Sequence, residues 1–142
     1  MTAQRCDLYL ELGEVLIPAG QPQVATEEVA PQALALAETL GDARRASRAA
    51  QIALEGMLRY GGAALEASAM FRTWAERADR YAESDSAERV YADHALGNHE
   101  VVTGDAPAAF AHFARALALA RRLADPTRGV SRALRPARAK LR

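Results

Sequence analysis

The chain has 142 residues, half of them hydrophobic, and its 18 basic and 18 acidic side chains cancel to a net charge of zero. That is the length of one domain, long enough for a continuous core. A single cysteine, Cys6, excludes a disulfide framework and a thiolate metal cluster, and no apolar run approaches the roughly 20 residues needed to span a bilayer.

Leu and Ala dominate the apolar positions and β-branched runs are few, which is helical composition. Seven helices are predicted in chain order. The first covers about 3–18 and ends at Pro18-Ala19-Gly20; the second covers about 22–40 and ends at Gly41. The third, about 43–60, starts from Asp42 as N-cap and stops at Gly61-Gly62. The fourth covers about 64–82. The fifth, about 86–103, is expected to begin on Asp85 with Glu88 in capping-box spacing. The sixth, about 106–123, follows Gly104-Asp105, and the seventh starts near 127 after Asp125-Pro126. Turns of two to four residues suit antiparallel neighbours.

The chain repeats itself every 42 residues. Leu12-Gly13, Leu54-Glu55 and Leu96-Gly97 keep that spacing, as do Gly20, Gly62 and Gly104, then Ala25, Ala67 and Ala109, then Val29, Phe71 and Phe113. A period of this size predicts stacked helix pairs, because one pair cannot bury its own apolar face. The units fall at about 5–42, 43–84 and 85–125, followed by a capping helix and basic tail over 126–142. Past Ala33 the first unit fits the second better at an offset of 41. The slip brackets Pro31, which predicts a kink or restart near 27–31. In the sixth helix Ala109, Phe113, Ala116, Leu117, Ala120 and Leu123 form one apolar stripe, with Phe113 filling the core. Met70, Phe71 and Trp74 read as core packing in the fourth.

The unit Leu-Gly-x-x-[large]-x-x-x-Gly-x-x-x-x-Ala-x-x-x-Phe-x-x-Ala resembles the tetratricopeptide (TPR) signature. Leu96, Gly97, Gly104, Ala109, Phe113 and Ala116 match it best; the second unit departs with Glu55 at the second glycine, which is expected to set its helices slightly farther apart. The implied fold class is all-α, a right-handed α-solenoid of about three long TPR-like repeats plus a final helix. The segments Arg5-Cys6-Asp7-Leu8-x-Leu10-x-Leu12-Gly13-Glu14 and Ala-Leu-Ala-Leu-Ala before Leu-Gly-Asp are similar to helical arms of bacterial LuxR-type ATP-dependent transcriptional regulators and AAA-ATPase/cyclase signalling proteins. That resemblance implies a sensor or partner-docking arm. Seventeen Arg against one Lys fits a GC-rich bacterial genome, and no phosphate-binding Gly-x-x-x-x-Gly-Lys-[Ser/Thr] loop is present.

No catalytic constellation stands out. His94 and His99 are five residues apart, unsuited to sharing a metal from one helix face, and Asp93, His94 and Glu100 would need help from other helices. His112 is expected at the edge of the apolar stripe, and Cys6 as a small buried side chain. No enzyme, cofactor or metal is therefore expected. By the resemblance, the groove-facing positions are Asp7, Leu10, Glu14 and Ile17 in the first unit, Ala49, Ile52, Gly56 and Arg59 in the second, and Tyr91, His94 and Asn98 in the third. This face mixes apolar patches with both charge signs and suits a protein or peptide segment. A small-molecule effector is the alternative occupant.

Charge is unevenly spread: residues 1–125 carry −6 and residues 126–142 carry +6. A basic tail without aromatic residues would give weak, salt-sensitive nucleic-acid attachment at best, and a solvated helix explains it equally. The N-terminus lacks a signal peptide's apolar core, so a cytoplasmic location is expected. The first helix carries Leu8, Leu10, Leu12, Val15 and Leu16, too many for one stripe, which predicts self-association there as a two-fold dimer.

Overall fold

Local capping chemistry divides the chain. In a computed structural model that describes residues 1–125, Asp42 and Asp105 sit at helix N-caps, where their carboxylates accept from the backbone N–H of Arg45 and Ala108. Gly41 and Gly104 close the helices before them in the left-handed conformation, at φ 65° and 91°. The helices are α1 (Thr2–Leu16), α2 (Pro22–Val24), a π turn (Ala25–Val29), α3 (Ala30–Leu40), α4 (Ala43–Tyr60), α5 (Gly62–Glu66), α6 (Ala69–Tyr81), α7 (Ala87–Thr103) and α8 (Ala106–Leu123). No strand occurs among the described residues. The predicted final helix near 127 lies outside them.

Three local expectations change. The predicted second helix runs unbroken through α2, the π turn and α3, and its irregularity is the π turn: Ala30 N–H bonds to Ala25 O instead of the carbonyl four residues back. The wider turn comes immediately before Pro31, whose ring would crowd the preceding turn of a regular α-helix. The predicted fourth helix is two. Ser68 breaks it because its hydroxyl donates to Leu65 O at 2.5 Å and accepts from Phe71 N–H, ending α5 and starting α6. The N-cap of α7 is Ser86, which accepts from Arg89 N–H, not Asp85.

The helices pack in series. α1 lies on the π turn and α3, α3 on α4, α4 on α6, α6 on α7 and α7 on α8. The first helix of each 42-residue unit also touches that of the next, α1 with α4 and α4 with α7. Neither α1 nor α3 touches α7 or α8. One core runs through this series, built on alanines of α3, α4, α6 and α7, with Leu10, Ile52, Leu54, Met57, Phe71 and Trp74 as the large members. Met70, by contrast, is 37% exposed.

Small residues set the helix spacing. A methyl group at Gly97 would stand 2.6 Å from the Phe113 ring, and one at Gly13 would stand 3.5 Å from Val29 and 2.8 Å from Ile52. Val29 and Phe113 are repeat equivalents, so the same glycine contact joins the two helices of the first and third units. In the second unit Glu55 is exposed, and the close approach of α4 is a different one, at Gly56 toward the preceding unit. There a methyl group would overlap Thr26 Oγ1 and stand 2.7 Å from Pro22 O. Thr26, inside the π turn and 1% exposed, donates its hydroxyl to Ala53 O at 2.9 Å. The irregular turn is thus held against α4 by a buried hydrogen bond.

Candidate functional site

The residues expected along one groove separate into three environments. Leu10, Ile17, Ala49, Ile52 and Gly56 are buried in the core, so no partner can reach them. The expectation failed for them because this face packs where the first two units meet: Ile52 of α4 lies over Gly13, and Gly56 lies against Thr26 and Pro22. Asp7 and Glu14 are taken up by ion pairs that join α1 to α4. Arg45 forks onto Asp7 at 2.8 and 2.9 Å and also reaches Asp42, while Arg48 meets Glu14 at 2.6 Å. Hydrogen bonds from Arg45 hold both the Asp7 and Asp42 carboxyls below the usual carboxylate range. Arg59 is exposed on the last turn of α4.

The third-unit residues come together in an open site. Tyr91 and His94 of α7 line a cavity of about 440 Å³ with Phe113, Ala116, Leu117 and Ala120 of α8 and Gln51 of α4. Asn98, one turn on, places its amide 3.5 Å from His94 Nδ1. The His94 and Phe113 rings meet at 5.8 Å in a tilted arrangement. Burial, and then the Glu55 charge, push the Tyr91 phenol well above its usual range, so it stays neutral. Leu117 is 52% exposed. The groove is therefore mostly apolar, with the Tyr91 phenol, the His94 imidazole and the Gln51 amide on its lining, while Asn98 lies beside His94 outside it.

Half of this site was legible as candidate residues on α7; the α8 half was read as core. The buried face of α8 is instead Ala109, Ala116 and Leu119. Phe113 is half-buried beside Gly97, and Leu117 and Leu123 are exposed. The stripe's periodicity was right, yet two of its large members are not covered by any described helix. Period alone does not say which side of a stripe has a neighbour.

A second cavity, about 540 Å³, was not anticipated. It is knit by Arg89–Asp79 at 2.6 Å, Arg115–Asp93 at 2.9 Å and Arg122–Asp85 at 3.3 Å. Asp93 is 2% exposed, and a buried carboxylate needs such a partner. His112 sits there too, with Nδ1 2.7 Å from Glu100 and 3.1 Å from Ala108 O. Asp93, His94 and Glu100 do not converge: they serve Arg115, Phe113 and His112 respectively. His99 is turned away from His94, stacked on Phe71 with its Nδ1 2.8 Å from Glu66 O. Cys6 is fully buried, its thiol donating to Ala33 O, and burial raises its pKa. Burial of that kind leaves the thiol inert.

Over the described residues these features define an all-helical fold with serial helix contacts and an apolar groove at the last described pair. Set against protein families, curated proteins and solved structures, the chain matches none. Among the described residues no helix is long and apolar enough to cross a membrane.

Proposed function

We propose that this chain is a non-catalytic interaction scaffold, a TPR-like α-solenoid whose α7–α8 groove receives an amphipathic helix from a protein partner. The observation that carries the reading is the groove itself: Tyr91, Phe113, Ala116, Leu117 and Ala120 offer an apolar trough between two helices. Helix-in-groove recognition needs that shape and reads anchors at i, i+4 and i+7. Serial packing supports the solenoid reading, since each pair meets only its neighbours. So does the glycine contact shared by Gly13–Val29 and Gly97–Phe113. The family resemblance adds a setting, a docking arm of a bacterial regulatory or signalling protein.

Panning a displayed library of helical peptides against the immobilised chain tests this. Peptides with apolar residues at i, i+4 and i+7 should be enriched, and Leu117→Glu should weaken them at least tenfold while circular dichroism stays unchanged, because Leu117 is half exposed. A library that yields no binder, or binders indifferent to Leu117→Glu, overturns the reading. A metabolite is the second reading, favoured by a volume within the range of small-molecule sites. A thermal-shift screen that finds a small ligand abolished by Leu117→Glu would select it.

A further inference from the structure

An exposed apolar row on α1 has no partner among the described residues. Leu8, Leu12 and Val15 are 66%, 45% and 63% exposed, and their spacing puts them on one face. This corrects the sequence expectation in part, because Leu10 is fully buried and belongs to the core. Forty-two residues further on, the corresponding side chains of α4 are Ala50, Leu54 and Met57, all fully buried. In α7 they are Ala92, fully buried, Leu96, packed on the core, and His99, 9% exposed. α4 lies on α1, the π turn and α3, and α7 lies on α4, α5 and α6. Leu8, Leu12 and Val15 therefore occupy the positions that α4 and α7 bury within the series.

The groove shows the converse. Ala116, Leu117 and Ala120 correspond to Trp74, Ala75 and Ala78 of α6, which are 4%, 0% and 2% exposed in a helix that packs on both α4 and α7. Leu117 is exposed where Ala75 is covered. One end of the described series thus presents a helix face, and the other presents the kind of trough that receives such a face inside the chain.

We propose that copies of this chain associate head to tail, the Leu8–Leu12–Val15 row of one copy seated in the α7–α8 groove of the next. This rests on the reading of the groove as a helix receptor and names the helix. Chemistry selects α1 over the chain's own residues 126–142. At the corresponding register those bring Leu134, Arg138 and Leu141, so a guanidinium would stand where Leu12 stands. The contact joins two different surfaces, so two copies leave one of each unsatisfied and the assembly grows past a dimer, into a ring or an open filament.

Sedimentation of the full chain from micromolar to millimolar concentration tests this. The mean mass should climb past that of a dimer. Leu8→Glu and Leu117→Glu should each be monomeric alone. Mixed, they should form a 1:1 dimer that grows no further, because each supplies one intact end. Leu8→Gln and Leu117→Gln should repeat the pattern, guarding against a folding defect from the introduced charge. A wild-type monomer at every concentration overturns the proposal. So does a dimer plateau abolished by Leu8→Glu and untouched by Leu117→Glu, which marks a two-fold α1 contact. A monomeric wild type that still captures library helices in a Leu117-dependent way overturns the association and leaves the groove reading standing.

Discussion

Phe71→Ala is expected to destabilise the fold by about 3–5 kcal/mol, the range for deleting a large aromatic side chain from a packed interior. Phe71 is fully buried. Its ring stacks on His99 of α7, with centroids 6.2 Å apart, and its backbone N–H is the one that Ser68 caps. The residue thus joins a local signal, the start of α6, to the seam between the second and third units. Losing it leaves a cavity that helices held by their own backbone bonds cannot collapse to fill. Domains of this kind are stable by only about 5–15 kcal/mol. Chemical denaturation should therefore show a midpoint far below that of the parent, or an unfolded variant. A loss under about 1 kcal/mol would mean that α6 does not bury this face against α7.

Gly56→Val is expected to cost about 2–4 kcal/mol, from overpacking of about 1–3 kcal/mol and a lost hydrogen bond of about 1 kcal/mol. The added side chain would meet Thr26 Oγ1 and the Pro22 carbonyl. The carbonyl is backbone and cannot swing aside, and displacing Thr26 breaks its bond to Ala53 O. Gly13→Ala provides the contrast. Its methyl would meet Ile52 Cγ2 at 2.8 Å, a side-chain atom whose small shift breaks no hydrogen bond, and alanine regains helix propensity of about 1 kcal/mol over glycine, which offsets part of the strain. A clearly smaller cost for Gly13→Ala than for Gly56→Val, both read by urea denaturation, would place the tightest approach of the described helices at the π turn. Equal costs would contradict that.

What the sequence made legible follows from how local each signal is. Asp42 and Asp105 were readable as N-caps, and Gly41 and Gly104 as left-handed stops, because each acts within one turn. Pro31 marked the irregular turn for the same reason, although a proline does not specify a π turn over a kink. Ser68 was overlooked inside an alanine-rich stretch whose period runs on through it. Gly56 was misplaced because the resemblance put its position on the groove, whereas it packs against Thr26 and Pro22 of the preceding unit, a contact between units that no local signal marks. The groove was half legible. Tyr91 and His94 followed from the repeat, whereas Leu117 has the same pattern as a core residue and differs only in lacking a neighbour. Burial depends on what lies across the interface, and that information is not in the stripe.

The most direct test of the groove as a helix receptor is a nuclear magnetic resonance titration. It uses the full chain carrying Leu8→Glu, which keeps the groove intact and removes the competing row, with the strongest peptide from the helical library. The account predicts that shift changes concentrate on Tyr91, His94, Phe113, Leu117 and Ala120, the lining of the 440 Å³ cavity. Changes confined to the ion-paired cavity around Asp93 and Arg115, or spread evenly with no focus on α7 and α8, would contradict it.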